Sequence, residues 1–187
     1  MEALKIDEYT EDEYTVDDIL ALPEGERAEL IDGRWYDMAS PTGTHQAIIT
    51  AILGELRNYI RSKGGKCKVF PAPYAVFLNN DDRTYVEPDV VVICDEQKMD
   101  DKGCHGAPDL VVEVASPSTS KRDYGLKLFK YRTAGVKEYW IVNPDKKTIN
   151  TYFFIPNGGE EGNQVTFDEE IPCGLFQDFH MILSEAL

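Results

Sequence analysis

Two acidic residues interrupt otherwise apolar runs, Asp89 at the head of EPDVVVIC and Glu113 in the middle of LVVEVA. A carboxylate in such a run is costly unless it is paired, protonated or bound to a metal, so both are candidates for chemistry. The plainer alternative is a pair of satisfied acids, with Asp89 capping backbone groups at a strand end and Glu113 matched to a lysine. Of the two Pro-Asp dipeptides, Pro88-Asp89 and Pro108-Asp109, strand geometry favours the first as Glu113's partner. Asp109 and Glu113 fall four residues apart on one strand, which at ~3.3 Å per residue separates their Cα atoms by roughly 13 Å, too far for one ion. Asp109 is therefore expected to fix the turn into its strand. Asp89 and Glu113 lie on separate runs which, as neighbouring strands about 4.8 Å apart, would bring both carboxylates to one hard cation such as Mg²⁺ or Mn²⁺.

Positive charge is the third ingredient. From Lys121 to Lys137 the chain carries Lys121, Arg122, Lys127, Lys130, Arg132 and Lys137 against Asp123 alone, a local net charge of +5. On a helix, Lys127 stands three residues from Tyr124 and four from Tyr131, at the border of an apolar stripe with Leu128, so its ammonium can point along a sheet. The alternative is a surface pair with Asp123 at i, i+4, which contributes little. Two carboxylates and a lysine are what metal-dependent phosphodiester hydrolysis requires: the metal polarises the phosphate and acidifies a water, and the lysine stabilises developing negative charge. The segment Ser116 to Ser120 has no histidine or aspartate spaced to activate its hydroxyls and reads as the turn and N-cap before the helix. Tyr139-Trp140 reads as strand packing rather than a base-stacking platform.

The elements that must carry these residues follow from periodicity and punctuation. Thr15 caps a short helix over about Val16 to Leu22, and Arg27 to Met38 forms a hairpin around Asp32-Gly33 that carries Glu29. Helical spacing of Ile48, Ile52, Leu56 and Ile60 predicts a helix over Thr44 to Lys63, opened by His45 and stopped by Gly64-Gly65. Extended segments follow at Lys66 to Phe70, Tyr74 to Leu78, Val86 to Cys94 and Leu110 to Ala115, the last two unbroken enough to be covered on both faces. A helix over Lys121 to Ala134 then leads to a strand over Glu138 to Val142, a strand–helix–strand crossover. A hairpin through Ile149 to Ile155 and weaker strands at Val165 to Phe167 and Leu175 to Phe179 complete a mixed sheet with helices packed on it.

The set ELIDG at 29–33, His45 opening a helix, EPDVVV at 87–92, PDLVVEVASPST at 108–119, Asp123 with Lys127 and Tyr131, and GVKEYWIV at 135–142 resembles a bacterial family of restriction-endonuclease-like proteins of undefined function. That family is placed in the PD-(D/E)XK nuclease superfamily. The resemblance runs from about Val16 to the C-terminus with its motifs in order. It implies an α/β restriction-endonuclease-like core, a mixed central sheet flanked by helices with extra hairpins at both ends. Pro88-Asp89 matches the superfamily's PD and Glu113 its acid, both implied to bind Mg²⁺. Ala115 stands where the superfamily's lysine would, and Lys127 matches the lysine that some branches carry on the following helix, with Lys121 in reserve. Glu29 matches an additional acid near such sites, for metal contact or water activation, a plain hairpin surface acid being the alternative. His45 either caps and packs or contacts the site.

The 187 residues, 42% apolar, suffice for one sizeable core, and no repeat or linker divides residues 1–187 into more than one domain. The net charge of −15 is unevenly spread: residues 1–40 carry −10 and 157–187 carry −7, leaving +2 over 41–156. DNA affinity is therefore expected to be modest, salt-sensitive and dependent on Lys121 to Lys137. No signal peptide or membrane span is read, which points to a cytoplasmic protein. Cys67, Cys94, Cys104 and Cys173 show no CxxC pair and are expected as reduced thiols, with Cys104-His105 beside Cys94 a weak metal candidate. The leading expectation is a Mg²⁺-dependent endonuclease acting on DNA as a homodimer, with Glu29, Asp89, Glu113 and Lys127 at its site. The alternative is a catalytically silent nucleic-acid or protein binding module on the same fold. The acidic arm over 1–14 is a further candidate for partner binding or DNA mimicry, on its charge alone.

Overall fold

The structure is a computed structural model that describes residues 14–79, 81–156 and 158–187; apart from Tyr14, the acidic arm lies outside the described residues. Among these residues the strands form two sheets. The larger is six-stranded, in the order β11 (Gly159–Thr166), β10 (Thr148–Ile155), β9 (Glu138–Asn143), β8 (Leu110–Val114), β6 (Val90–Ile93) and β3 (Lys68–Pro71). Strands β6 and β8 are buried throughout because both faces of the sheet are covered. Val90, Val92, Leu110, Val112 and Val114 pack with helix α2 (Gly43–Ser62), while Val91, Ile93 and Val111 pack on the other side with Tyr131 and Tyr139. Thr42 caps α2 by accepting from the His45 amide at 3.2 Å, and Ile48, Ile49, Ile52, Leu56 and Ile60 are its buried stripe.

The sheet is mixed as expected. Strands β6 and β8 pair antiparallel with Val90 opposite Val112, whereas β8 and β9 are parallel neighbours joined by the helical segment 120–134. That segment departs from one regular helix: α3 (Ser120–Arg122) runs into a single π-helical turn over Asp123–Lys127 and then α4 (Leu128–Ala134).

The smaller sheet is five-stranded, in the order β2 (Arg34–Asp37), β1 (Ala28–Ile31), β5 (Tyr85–Val86), β4 (Val76–Phe77) and β7 (Cys104–His105). Its β1–β2 hairpin turns on Asp32 (φ 54°) and Gly33 (φ 76°), the paired positive φ values of the tight turn read from Asp-Gly. Helix α1 (Val16–Leu20) packs on this sheet. The run expected as one strand from Val86 to Cys94 is divided between the two sheets, with Glu87, Pro88 and Asp89 as the passage. Proline has no amide to continue a ladder, so the chain changes partners there. The strand expected at Leu175 to Phe179 does not form: the Leu175 amide donates to the Glu138 carboxylate at 2.7 Å, and Leu175, Phe176 and Phe179 pack against the α2 side of the core. Helix α5 (Leu183–Ala186) ends the chain.

The expectation of reduced cysteines is corrected at one pair. Lys68 faces Ile93 in the β3–β6 ladder, so the next positions outward, Cys67 and Cys94, stand opposite each other and form a disulfide. A separation of 27 residues conceals a contact that strand pairing creates. With Cys94 so engaged and the buried Cys104 thiol on the Gly106 carbonyl, the metal candidate at Cys94, Cys104 and His105 does not assemble. Reducing the disulfide is expected to lower unfolding free energy by about 3 kcal/mol through the freed loop. Urea unfolding with and without dithiothreitol checks this, and a Cys67→Ser/Cys94→Ser variant should show no reductant effect.

Candidate active site

The β6–β8 register, continued one step from Val90 opposite Val112, sets Asp89 opposite Glu113. Glu113 falls on the face away from α2, since its strand neighbours Val112 and Val114 pack with that helix, whereas Asp89, just before β6, reaches His45 at the start of α2. Asp89 Oδ2 accepts the Val114 amide at 2.7 Å and lies 3.2 Å from His45 Nε2, and both side chains are largely buried. Asp89 thus does cap a backbone group, as the plainer reading had it, and it does so beside Glu113.

Lys127 reaches this pair from the helical segment. Asp123, Lys127 and Tyr131, spaced by four across the π turn, are all buried and share its inward side. Lys127 Nζ donates to Glu113 Oε1 and to Glu29 Oε1, each at 2.8 Å, and is only 3% exposed. The surface pair with Asp123 is thereby replaced by a buried bridge between two sheets. Tyr131 donates its hydroxyl to the same Glu113 oxygen at 2.7 Å. Glu29, on β1, also accepts the Glu87 amide at 3.2 Å, and Arg122, stacked over Tyr36, stands 3.7 Å from its Oε2. Glu29 is 1% exposed, so the hairpin surface acid is excluded by its burial.

The electrostatics of the cluster are set by an excess of acid. Burial pushes the Glu113 carboxyl up to about 8; Lys127 opposes that rise, and Asp89 and Glu29 reinforce it. For Lys127, burial works against the charge, but Glu113 and Glu29 outweigh it and hold the ammonium above the ordinary lysine range. The two rises differ in source: burial is the largest cause for Glu113, whereas for Lys127 the surrounding Glu113, Glu29 and Asp123 carboxylates overcome burial. Asp123 is likewise raised by burial, against the pull of Lys127 and a hydrogen bond from Thr119.

This arrangement fits a further cation. Among the described residues, no hydrogen bond occupies Asp89 Oδ1 or Glu113 Oε2, and Glu29 Oε2 is buried without a hydrogen-bond partner, its nearest cation being Arg122 at 3.7 Å. No cluster of three or more His, Cys, Asp or Glu side chains with metal-site geometry occurs among the described residues. Two carboxylates nevertheless suit Mg²⁺, which keeps several waters and takes phosphate oxygens as further ligands.

The other sequence candidates fall into place around this centre. Asp109 accepts the Cys94 amide at 2.7 Å and pairs with Lys137, a structural anchor as expected. Lys121 is exposed and makes no contact with the carboxylates. The Lys121 to Lys137 run does not present its charge as a bare basic face: Arg122 and Lys127 face Glu29, Lys130 pairs with Asp32, Arg132 with Glu160, and Lys137 with Asp109. Ser116 and Thr119 hydrogen-bond each other in the turn before α3, and Tyr139 and Trp140 are wholly buried. Glu138, a buried acid in an apolar strand that sequence reasoning passed over, carries the same signal as Glu113 but anchors Trp140 Nε1 and the Leu175 amide on the α2 face of the sheet. The role of Arg122 beside Glu29 was also missed, because only the contact between the two sheets creates it.

Comparison with known proteins gives the chain a family and a fold. Residues 16–181 match the Uma2 family, described as putative restriction endonuclease. An uncharacterized protein of Synechocystis sp. strain PCC 6803 is 30% identical over 128 residues, 68% of this chain and 66% of that protein, so the match spans just under two thirds of the relative's length. A crystal structure of a putative nuclease belonging to DUF820 from Anabaena variabilis superposes with a TM-score of 0.72 at 20% identity, covering 92% of this chain and 96% of that one, which establishes a common fold. Among the described residues, no helix is long and apolar enough to cross a membrane.

Proposed function

The chain belongs to the Uma2 family, and on that premise we propose that it is a divalent-metal-dependent nuclease that hydrolyses phosphodiester bonds in DNA. The observation that carries this reading is Lys127, buried and bridging Glu29 and Glu113, with Asp89 on the neighbouring strand. Asp89 and Glu113 would hold Mg²⁺ or Mn²⁺, which when bound polarises the phosphoryl group and acidifies a water. Lys127, kept charged by its two carboxylates, offers fixed positive charge where a phosphorane-like transition state gains negative charge. Glu29 acts through Lys127: one of its oxygens is taken by the ammonium and its burial keeps it from solvent, so we assign it to holding the lysine rather than activating water. Tyr131 fixes the Glu113 oxygen that faces Lys127 and leaves the other for a cation.

Lys127 turned inward favours the hydrolase over a silent binding module, for which a solvent-directed lysine is the expectation. A two-fold pair of such sites could address both strands of a duplex, and sedimentation velocity tests the homodimer this would need. The decisive experiment incubates the purified chain with supercoiled plasmid and linear DNA in Mg²⁺ or Mn²⁺, with EDTA as control. Nicking or linearisation that EDTA abolishes is expected. Absence of cleavage on every DNA form, together with no calorimetric metal binding, would overturn the reading in favour of the binding module.

A further inference from the structure

Among the described residues, His45 touches Asp89 from α2, a helix whose buried stripe is otherwise apolar. Its backbone is already satisfied by the cap, since Thr42 Oγ1 accepts the His45 amide at 3.2 Å and the Thr42 carbonyl accepts the Gln46 amide at 3.1 Å. The ring is therefore not needed to start the helix. It projects instead to Asp89, with Nε2 3.2 Å from Oδ2, and the Val114 backbone is its second partner. Its other nitrogen, Nδ1, is buried and has no hydrogen-bond partner among the described residues. The ring's polar contacts thus go to Asp89 and to the residue after Glu113, the two strand positions whose carboxylates stand opposite each other.

We propose that His45 is a positioning residue for the metal site: by donating from Nε2 it holds Asp89 Oδ2 against the Val114 amide, so that Oδ1 stays directed to a cation shared with Glu113. Two contacts on one carboxylate oxygen, the Val114 amide at 2.7 Å and the His45 ring at 3.2 Å, tie the carboxylate to α2 as well as to β8. Such outer partners orient ligands without binding the ion themselves. The inference rests on the metal-dependent reading of the same site and adds to it a residue on a third element.

The test titrates Mn²⁺ calorimetrically into the wild-type chain, His45→Phe and His45→Gln, with thermal melts in parallel. Phenylalanine keeps the ring's bulk without a donor, and the glutamine amide can donate from near the Nε2 position. His45→Phe is expected to weaken Mn²⁺ binding roughly 10–100-fold with little change in melting temperature, and His45→Gln to recover most of that loss. Wild-type binding that His45→Phe leaves unchanged, or a His45→Gln variant as weak as His45→Phe, overturns the positioning role and leaves the hydrolase standing. A wild-type chain that binds no Mn²⁺ overturns both.

Discussion

Lys127→Ala is expected to destabilise the fold by about 3–5 kcal/mol at alkaline pH and to abolish cleavage, because it leaves Glu29 and Glu113 buried without their common cation. No water can replace the ammonium readily at a position 3% exposed. The loss should depend on pH with a definite sign. Glu113 in the folded chain is raised from 4.5 to about 8, so its contribution is fully present below about 4.5 and is lost as pH rises through about 8. Removing Lys127 takes away the influence that opposes this rise, so the Glu113 part of the variant's deficit should be small from about pH 4.5 up to about 8 and should grow as pH rises further. Urea unfolding of both proteins across that range measures it; a deficit independent of pH would show that packing alone is lost. A Lys127→Met variant separates the two, since it retains the buried stem and removes the charge.

Asp89→Asn should do the reverse, removing activity while sparing the fold. The amide oxygen still accepts the Val114 amide, and one negative charge leaves a cluster that already has too many. The melting temperature is therefore expected to hold or rise. Divalent-ion affinity should fall at least about a hundredfold, since loss of even an outer partner costs roughly 10–100-fold, and cleavage should fall with it. In the wild-type chain the ion competes with a proton on Glu113, so Mg²⁺ affinity is expected to climb with pH toward about 8 and then level off. Calorimetry in buffers of different ionisation enthalpy would register the released proton. An Asp89→Asn chain that cleaves DNA at the wild-type rate would remove Asp89 from the site.

Local pattern revealed much of the fold and fell short in specific places. Helix α2 and the β1–β2 hairpin were legible because a repeating apolar stripe and an Asp-Gly turn are local signals. The division of residues 85–93 between two sheets was not, because the apolar run reads the same whichever sheet each half joins. The Cys67–Cys94 bond was hidden for a related reason: it depends on strand register, and a separation of 27 residues carries no trace of it. The acid-in-an-apolar-strand signal found Asp89 and Glu113 but applies equally to Glu138, whose partners are a tryptophan and a backbone amide.

The sequence by itself determined which groups were available: the two interrupting carboxylates, the cation-rich segment after them and the residue order shared with a nuclease-like family. It determined the strand identity of the runs as well, since continuous apolar stretches must be buried on both faces. Only the tertiary structure decided what those groups face. Lys127 meets Glu29 across 98 residues of chain, and Asp89 is set beside Glu113 by strand register, one step beyond the β6–β8 ladder, rather than by a motif. It also matched most cations of the +5 run with acids from elsewhere in the chain, buried at Lys127 and near the surface at Lys130, Arg132 and Lys137. The physical reason is that charge is additive along a sequence, whereas its effect depends on burial and on the nearest opposite charge, which chain folding alone assigns.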